Sequence, residues 1–251
     1  MTSIADQGLA QLGGPLSVLS RQKRDHVRLD RLLDDLADSP TGHAQRQALR
    51  RLARVVFPHA FAEESVLWPF LRRVVPDGQA LTLRVEQEHQ EVNELWASLE
   101  RLTPDDDRRR PLLERLAEVL RSDVRDEEDV LLPVLQQGRS RTQLRALGVA
   151  WEVVRRLSPT RPHVLVSRRP PGNVVAALPL TLTDRARDRL DSIAESSPRL
   201  EAPAAQLSRG AARLARLVER RKPSRAGEHR STRRALEPDL ALSTTSIGEE
   251  R

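Results

Sequence analysis

The chain contains no cysteine. Disulfides, thiolate metal sites and cysteine nucleophiles are therefore excluded. Tyrosine is also absent, and the single methionine is Met1. Lysine occurs only at Lys23 and Lys222, so nearly all of the 42 basic residues are arginine. That bias reads first as the coding preference of a GC-rich genome, although a chain poor in oxidisable side chains also suits a site that handles oxygen or peroxide. No apolar run approaches the ~18 residues that a membrane span requires. No basic segment followed by an apolar one opens the chain, which sets the expectation of a soluble, cytoplasmic protein. A Gly-rich phosphate loop, a Gly-x-Ser-x-Gly elbow and zinc-finger spacing are all missing, which removes common nucleotide-binding, hydrolase and finger classes.

Only 38% of the 251 residues are apolar, which is lean for one core over the whole length. Charge is also uneven. Residues 158–251 carry 18 Lys/Arg against 11 Asp/Glu, whereas residues 1–157 are close to neutral. Two regions are expected: residues 1–157, a helical bundle plus a fifth helix, and residues 158–251, a Pro/Arg-rich extension.

Four segments before residue 138 carry apolar residues at helical spacing. They span about residues 16–36, 44–75, 80–102 and 111–137. Ser39-Pro40-Thr41-Gly42, Pro76-Asp77-Gly78 and Thr103-Pro104-Asp105 separate them, and Gly138 closes the last. Short connections favour antiparallel neighbours, so the fold class is all-α, an up-down-up-down four-helix bundle. Pro58 lies inside the second segment and predicts a kink there. A fifth helix over about 141–157, with Leu144, Leu147, Trp151 and Val154 on one face, is expected to pack outside the bundle. Beyond it, Pro159, Pro162, Pro170, Pro171 and Pro179 predict an extended stretch. Two weaker helices near 184–195 and 204–222 follow, and 223–251 reads as disordered.

The main chemical signal is an internal repeat. His59-Ala-Phe-Ala-Glu63-Glu64-Ser-Val-Leu-Trp-Pro69 aligns with Asp123-Val-Arg-Asp-Glu127-Glu128-Asp-Val-Leu-Leu-Pro133. A lone histidine on the preceding helix, His26 or His89, stands 33 or 34 residues upstream of each copy. The bundle thus reads as two related hairpins. Residues four apart share a helix face, so His59 with Glu63, and Asp123 with Glu127, can each reach one point in the core. Imidazole and carboxylate together suit iron, manganese or zinc. Burying three imidazoles and three acids without a metal would be costly. Phe61, Trp68, Val92, Trp96 and Val130 are expected to keep the surroundings apolar. His43 and His229 read as solvated, and His163 as a surface histidine, with folding back over the open end of the bundle as the alternative.

This pattern of a lone His, then His-x-x-x-Glu-Glu with a downstream Pro, then both again, resembles the hemerythrin-like HHE cation-binding family over about residues 16–137. The resemblance implies an antiparallel four-helix bundle around two oxygen-bridged, non-haem iron ions, with iron ahead of manganese or zinc. It implies His26, His59 and His89 as terminal ligands and Glu63 and Glu127 as bridges. Asp123 stands where the family has histidine. It either ligates as a shorter oxygen donor or leaves an open position, and ligation is preferred because oxygen donors suit iron. The implied partner is a small oxidant or diatomic gas: hydrogen peroxide, dioxygen or nitric oxide. Peroxide disproportionation is one expected reaction. The alternative is an iron- or oxygen-responsive regulator acting through the basic tail. That tail, Arg-rich over 206–234, could contact nucleic acid, anionic lipid or an acidic partner but reads first as a solvated extension, since charge runs commonly do no more than that, and the aromatics that single-strand binding would interleave are missing.

Overall fold

The computed structural model describes residues 1–233, all of them in helices, turns or connecting segments. Helix α1 is Val18–Ala37, begun by the Ser17 side chain accepting from the Leu19 amide. Helix α2 starts as His43–Ala62, passes through a wider turn at Glu63–Leu67, and resumes as Trp68–Val74. Helix α3 is Gly78–Arg101. Helix α4 starts as Arg109–Asp126, passes through the same kind of turn at Glu127–Leu131, and ends as Leu132–Gln136. Helix α5 is Arg141–Arg156, opened by a Ser140/Gln143 capping box. Helices α6, Gly172–Ser196, and α7, Glu201–Glu219, complete the set. No described helix is long and apolar enough to cross a membrane.

Helices α1 to α4 contribute to one apolar cluster that includes Leu33, Leu52, Val56, Trp96 and Leu120. A second cluster, with Leu19, Leu67, Trp68, Val85, Leu131 and Trp151, also takes in α5. The candidate ligands lie along each helix between the residues of these two clusters. The apolar layers therefore hold a polar middle. Arg109 closes the far end. It is buried and donates to the carbonyls of Leu99, in the last turn of α3, and Leu102, just past it, and to Gln45 at the start of α2. Gly78 is needed where α2 turns into α3, because a Cβ there would sit 2.7 Å from the Leu71 carbonyl oxygen.

The two wide turns change the inward face. In each, an amide bonds the carbonyl five residues back: Trp68 to Glu63, and Leu132 to Glu127. One extra residue per turn advances the register by one position. Val130, expected inward together with Leu131, is 39% exposed, while Leu131 stays in the core. At the equivalent place in α2, Leu67 is fully buried and Val66 only partly buried. Pro58 is buried within α2, which continues through it to Ala62.

The C-terminal region departs from expectation. Residues 158–171 are not an extended stretch across the surface but a strap folded against α2 and α3. Helix α6 begins at Gly172, well before the expected 184, and runs through Pro179. It pairs with α7 around Val166, Ala176, Leu180 and Ala215. The strap is tied down by Glu86, a fully buried carboxylate on α3. Glu86 accepts from Arg169 Nε at 2.8 Å and Nη2 at 2.7 Å, and from Arg72 of α2. His163, expected to be solvated, is 5% exposed. Its ring spans Asp184 of α6 and Glu219 of α7 at 3.0 Å each, and its amide donates to Asn93. Low apolar content hid this docking, because it is carried by buried ion pairs. Of the segment expected to be disordered, residues 234–251 lie outside the described residues. Lys222–Arg225 forms a short 3-10 turn.

Candidate metal centre

All six residues singled out in the sequence converge. Their ligand-type atoms form two groups, each within 4.8 Å: His26, His59, Glu63 and Glu127, and His89, Asp123 and Glu127. Every one of the six is buried. His59 Nε2 lies 3.0 Å from Glu63 Oε1, and His89 Nε2 lies 3.7 Å from Glu63 Oε2. Glu127 Oε2 lies 3.2 Å from His26 Nε2, while Glu127 Oε1 lies 3.9 Å from His89 Nε2. Each glutamate therefore presents one oxygen to each half. Asp123 Oδ2 stands 3.6 Å from His89 Nε2, on the second half.

The orientation of the rings is informative. Each histidine turns Nδ1 outward to a carboxylate: His26 to Glu128 at 2.9 Å, His89 to Glu64 at 3.0 Å, and His59 to Asp25 at 3.5 Å. An outward Nδ1–H leaves the Nε2 lone pair facing inward, the tautomer a metal ligand needs. His26 Nε2 and His59 Nε2 then face each other at 3.2 Å. Two lone pairs so placed require a cation or protons between them.

These outer carboxylates went unassigned in the sequence reading. The signal was there in part, because Glu64 and Glu128 are the second residues of the two Glu-Glu pairs. The wide turns explain why consecutive glutamates both work. Glu63 and Glu127 enter the centre while Glu64 and Glu128 reach the neighbouring helix's histidine. Asp25, adjacent to His26, is matched in the repeat by Glu88, adjacent to His89.

Several inward atoms have no hydrogen-bond partner: both carboxylate oxygens of Glu63 and of Glu127, His89 Nε2 and Asp123 Oδ1. Leaving so many buried polar atoms unsatisfied would be expensive. Their donor set, three imidazoles and three carboxylates, matches a first-row metal pair. Proton affinities show the same strain. Burial pushes Glu63 up to about 7, with help from the Glu127 charge. Burial also raises Asp123. Burial opposes charge on His26, yet Glu127 and Glu128 outweigh it and lift His26 to about 9.

Residues 17–135 match the family described as Hemerythrin HHE cation binding domain. This segment is a hemerythrin-like HHE domain. The chain is also 26% identical to an uncharacterized hemerythrin-like protein of Schizosaccharomyces pombe over 148 residues, which cover 59% of this chain and 71% of the relative. No solved structure matches. The HHE assignment implies cation binding, and the buried His/Glu cluster fits a metal site.

Proposed function

We propose that α1–α4 form an antiparallel up-down-up-down bundle holding two metal ions, iron first, at which a small oxidant is bound or turned over. The observation that carries this reading is the convergence of six buried ligand-type residues, four of which (Glu63, His89, Asp123 and Glu127) have buried side-chain atoms with no hydrogen-bond partner. His26 and His59 would serve one ion, and His89 and Asp123 the other. Glu63 and Glu127, with one oxygen toward each half, would bridge. An iron pair, when bound, supplies one- or two-electron exchange with dioxygen, peroxide or nitric oxide. The protein's own part is to fix the ligands, orient the rings through Asp25, Glu64 and Glu128, and keep the centre dry. With every candidate ligand buried, only a reactant of a few atoms fits without rearrangement. Peroxide disproportionation needs no organic substrate and suits such a site.

Elemental analysis of protein purified without chelator tests the metal reading. About two irons per chain are expected, since two ligand groups are present. Because Glu127 belongs to both groups, Glu127→Ala should deplete both positions, whereas His89→Ala should empty one. Well under one metal per chain, not restored by anaerobic ferrous loading, would refute it. Peroxide-dependent oxygen release by the loaded protein tests turnover. A fully loaded protein that releases none would leave binding or sensing as the activity.

A further inference from the structure

The strap reaches the candidate centre as well as the bundle surface. Arg168 is 7% exposed. Its Nη1 lies 3.7 Å from Glu64 Oε1, the same oxygen that faces His89 Nδ1. Its Nη2 donates to the His163 and Val166 carbonyls at 3.0 Å each, and its amide is held by Glu228. A second path runs beside this one. Asn93 accepts the His163 amide at 3.0 Å and donates to the His89 carbonyl at 2.8 Å. The strap thus grips His89 through side chain and backbone.

The pseudo-equivalent half is built differently. Glu128, the counterpart of Glu64, has a side chain 14% exposed against 1% for Glu64. Asp30, the counterpart of Asn93 in the repeat, is exposed and pairs with Arg121 on the surface. His59's outer carboxylate, Asp25, does meet an arginine, Arg155 of α5 at 3.7 Å, but that guanidinium is 23% exposed. A buried cation acts in a lower effective dielectric than a solvated one.

We infer that Arg168 is a positioning residue that acts through Glu64 to weaken His89 as a donor and lower cation affinity at the His89/Asp123 half, making the two metal positions inequivalent. The physical reason is direct. A carboxylate that accepts from His89 Nδ1–H increases the electron density at Nε2. A guanidinium on that carboxylate withdraws part of the effect and adds its own repulsion toward a cation. This inference rests on the metal reading above.

The test is a cobalt(II) titration of metal-free full-length protein, followed by visible absorption, for wild type, Arg168→Met, Arg168→Lys, Glu64→Gln and Arg168→Met/Glu64→Gln. Circular dichroism confirms folding of each. Arg168→Met should tighten one of the two binding steps several-fold and leave the other within twofold. Arg168→Lys should stay near wild type. In the Glu64→Gln background the Met substitution should have a much smaller effect, because the residue it acts through has lost its charge. A merely structural role for Arg168 would weaken binding, so a weakened or unchanged step in a folded Arg168→Met protein overturns the inference. Absence of cobalt binding by wild type overturns the metal reading, and this inference with it.

Discussion

Glu86→Gln should detach the strap from helices α2 and α3 at a large cost in stability. Glu86 has no solvent exposure, while Arg169 and Arg72, which converge on it, keep 12% and 15% of their side chains exposed. The substitution preserves shape but leaves two guanidiniums close together with no carboxylate between them. Breaking a buried pair from one side costs about 3–5 kcal/mol, because the remaining charge stays desolvated. For a chain of this length, ~1 kcal/mol moves the midpoint by about 2–4 °C, so the melting temperature should fall by roughly 6–20 °C. Urea denaturation gives the free energy, and calorimetry gives the midpoint. If the strap opens before the bundle, limited proteolysis should cut within residues 158–171 under conditions where the wild type resists. Arg169→Met should cost less, since Glu86 keeps Arg72. Coupling between Glu86 and Arg169 in a double-mutant cycle should exceed about 1 kcal/mol. A Glu86→Gln loss below about 1 kcal/mol, the range of exposed pairs, would refute the view that this carboxylate anchors the C-terminal region.

Two further outcomes follow from the same packing. Burial opposes charge on His163, but Asp184 and Glu219 outweigh it and lift the imidazole from its ordinary 6.5 to about 9. Its contribution, at most about 3 kcal/mol, is therefore fully present below pH 6.5 and lost as pH rises through 9. Urea midpoints of wild type should fall across that window, and His163→Gln should flatten the His163-linked part of the slope; an equal fall in both proteins contradicts the assignment. Gly148 of α5 has no room for a methyl group, since a Cβ would lie 2.2 Å from the Leu16 carbonyl oxygen and 2.8 Å from the Val18 amide nitrogen. Gly148→Ala should cost about 1–3 kcal/mol or more by overpacking, and a melt within 1 °C of wild type would show that α5 does not press on the start of α1.

The positions of α1 to α5, and the six residues that converge at the candidate centre, were legible from the chain alone, for local reasons. Apolar spacing marks a helix face within a few turns, and an i,i+4 pair such as His59 and Glu63 shares a face whatever surrounds it. The repeat then pointed to Asp123, Glu127, His26 and His89 without any distance being known. Tertiary structure decided what local pattern does not encode. The wide turns at Glu63–Leu67 and Glu127–Leu131 turned Val130 outward while keeping Leu131 in the core, and a single inserted residue leaves average periodicity nearly unchanged, so the sequence pattern does not reveal it. Asp25 became a partner of His59 only when α1 met α2. Residues 158–171 looked extended because of their prolines and His163 looked solvated, whereas their burial depends on countercharges supplied from elsewhere: Glu86 from α3, Glu64 from α2, and Asp184 and Glu219 from α6 and α7. Apolar burial is written in a residue's own chemistry. Buried charge is permitted only by its partners, and the fold alone brings those together.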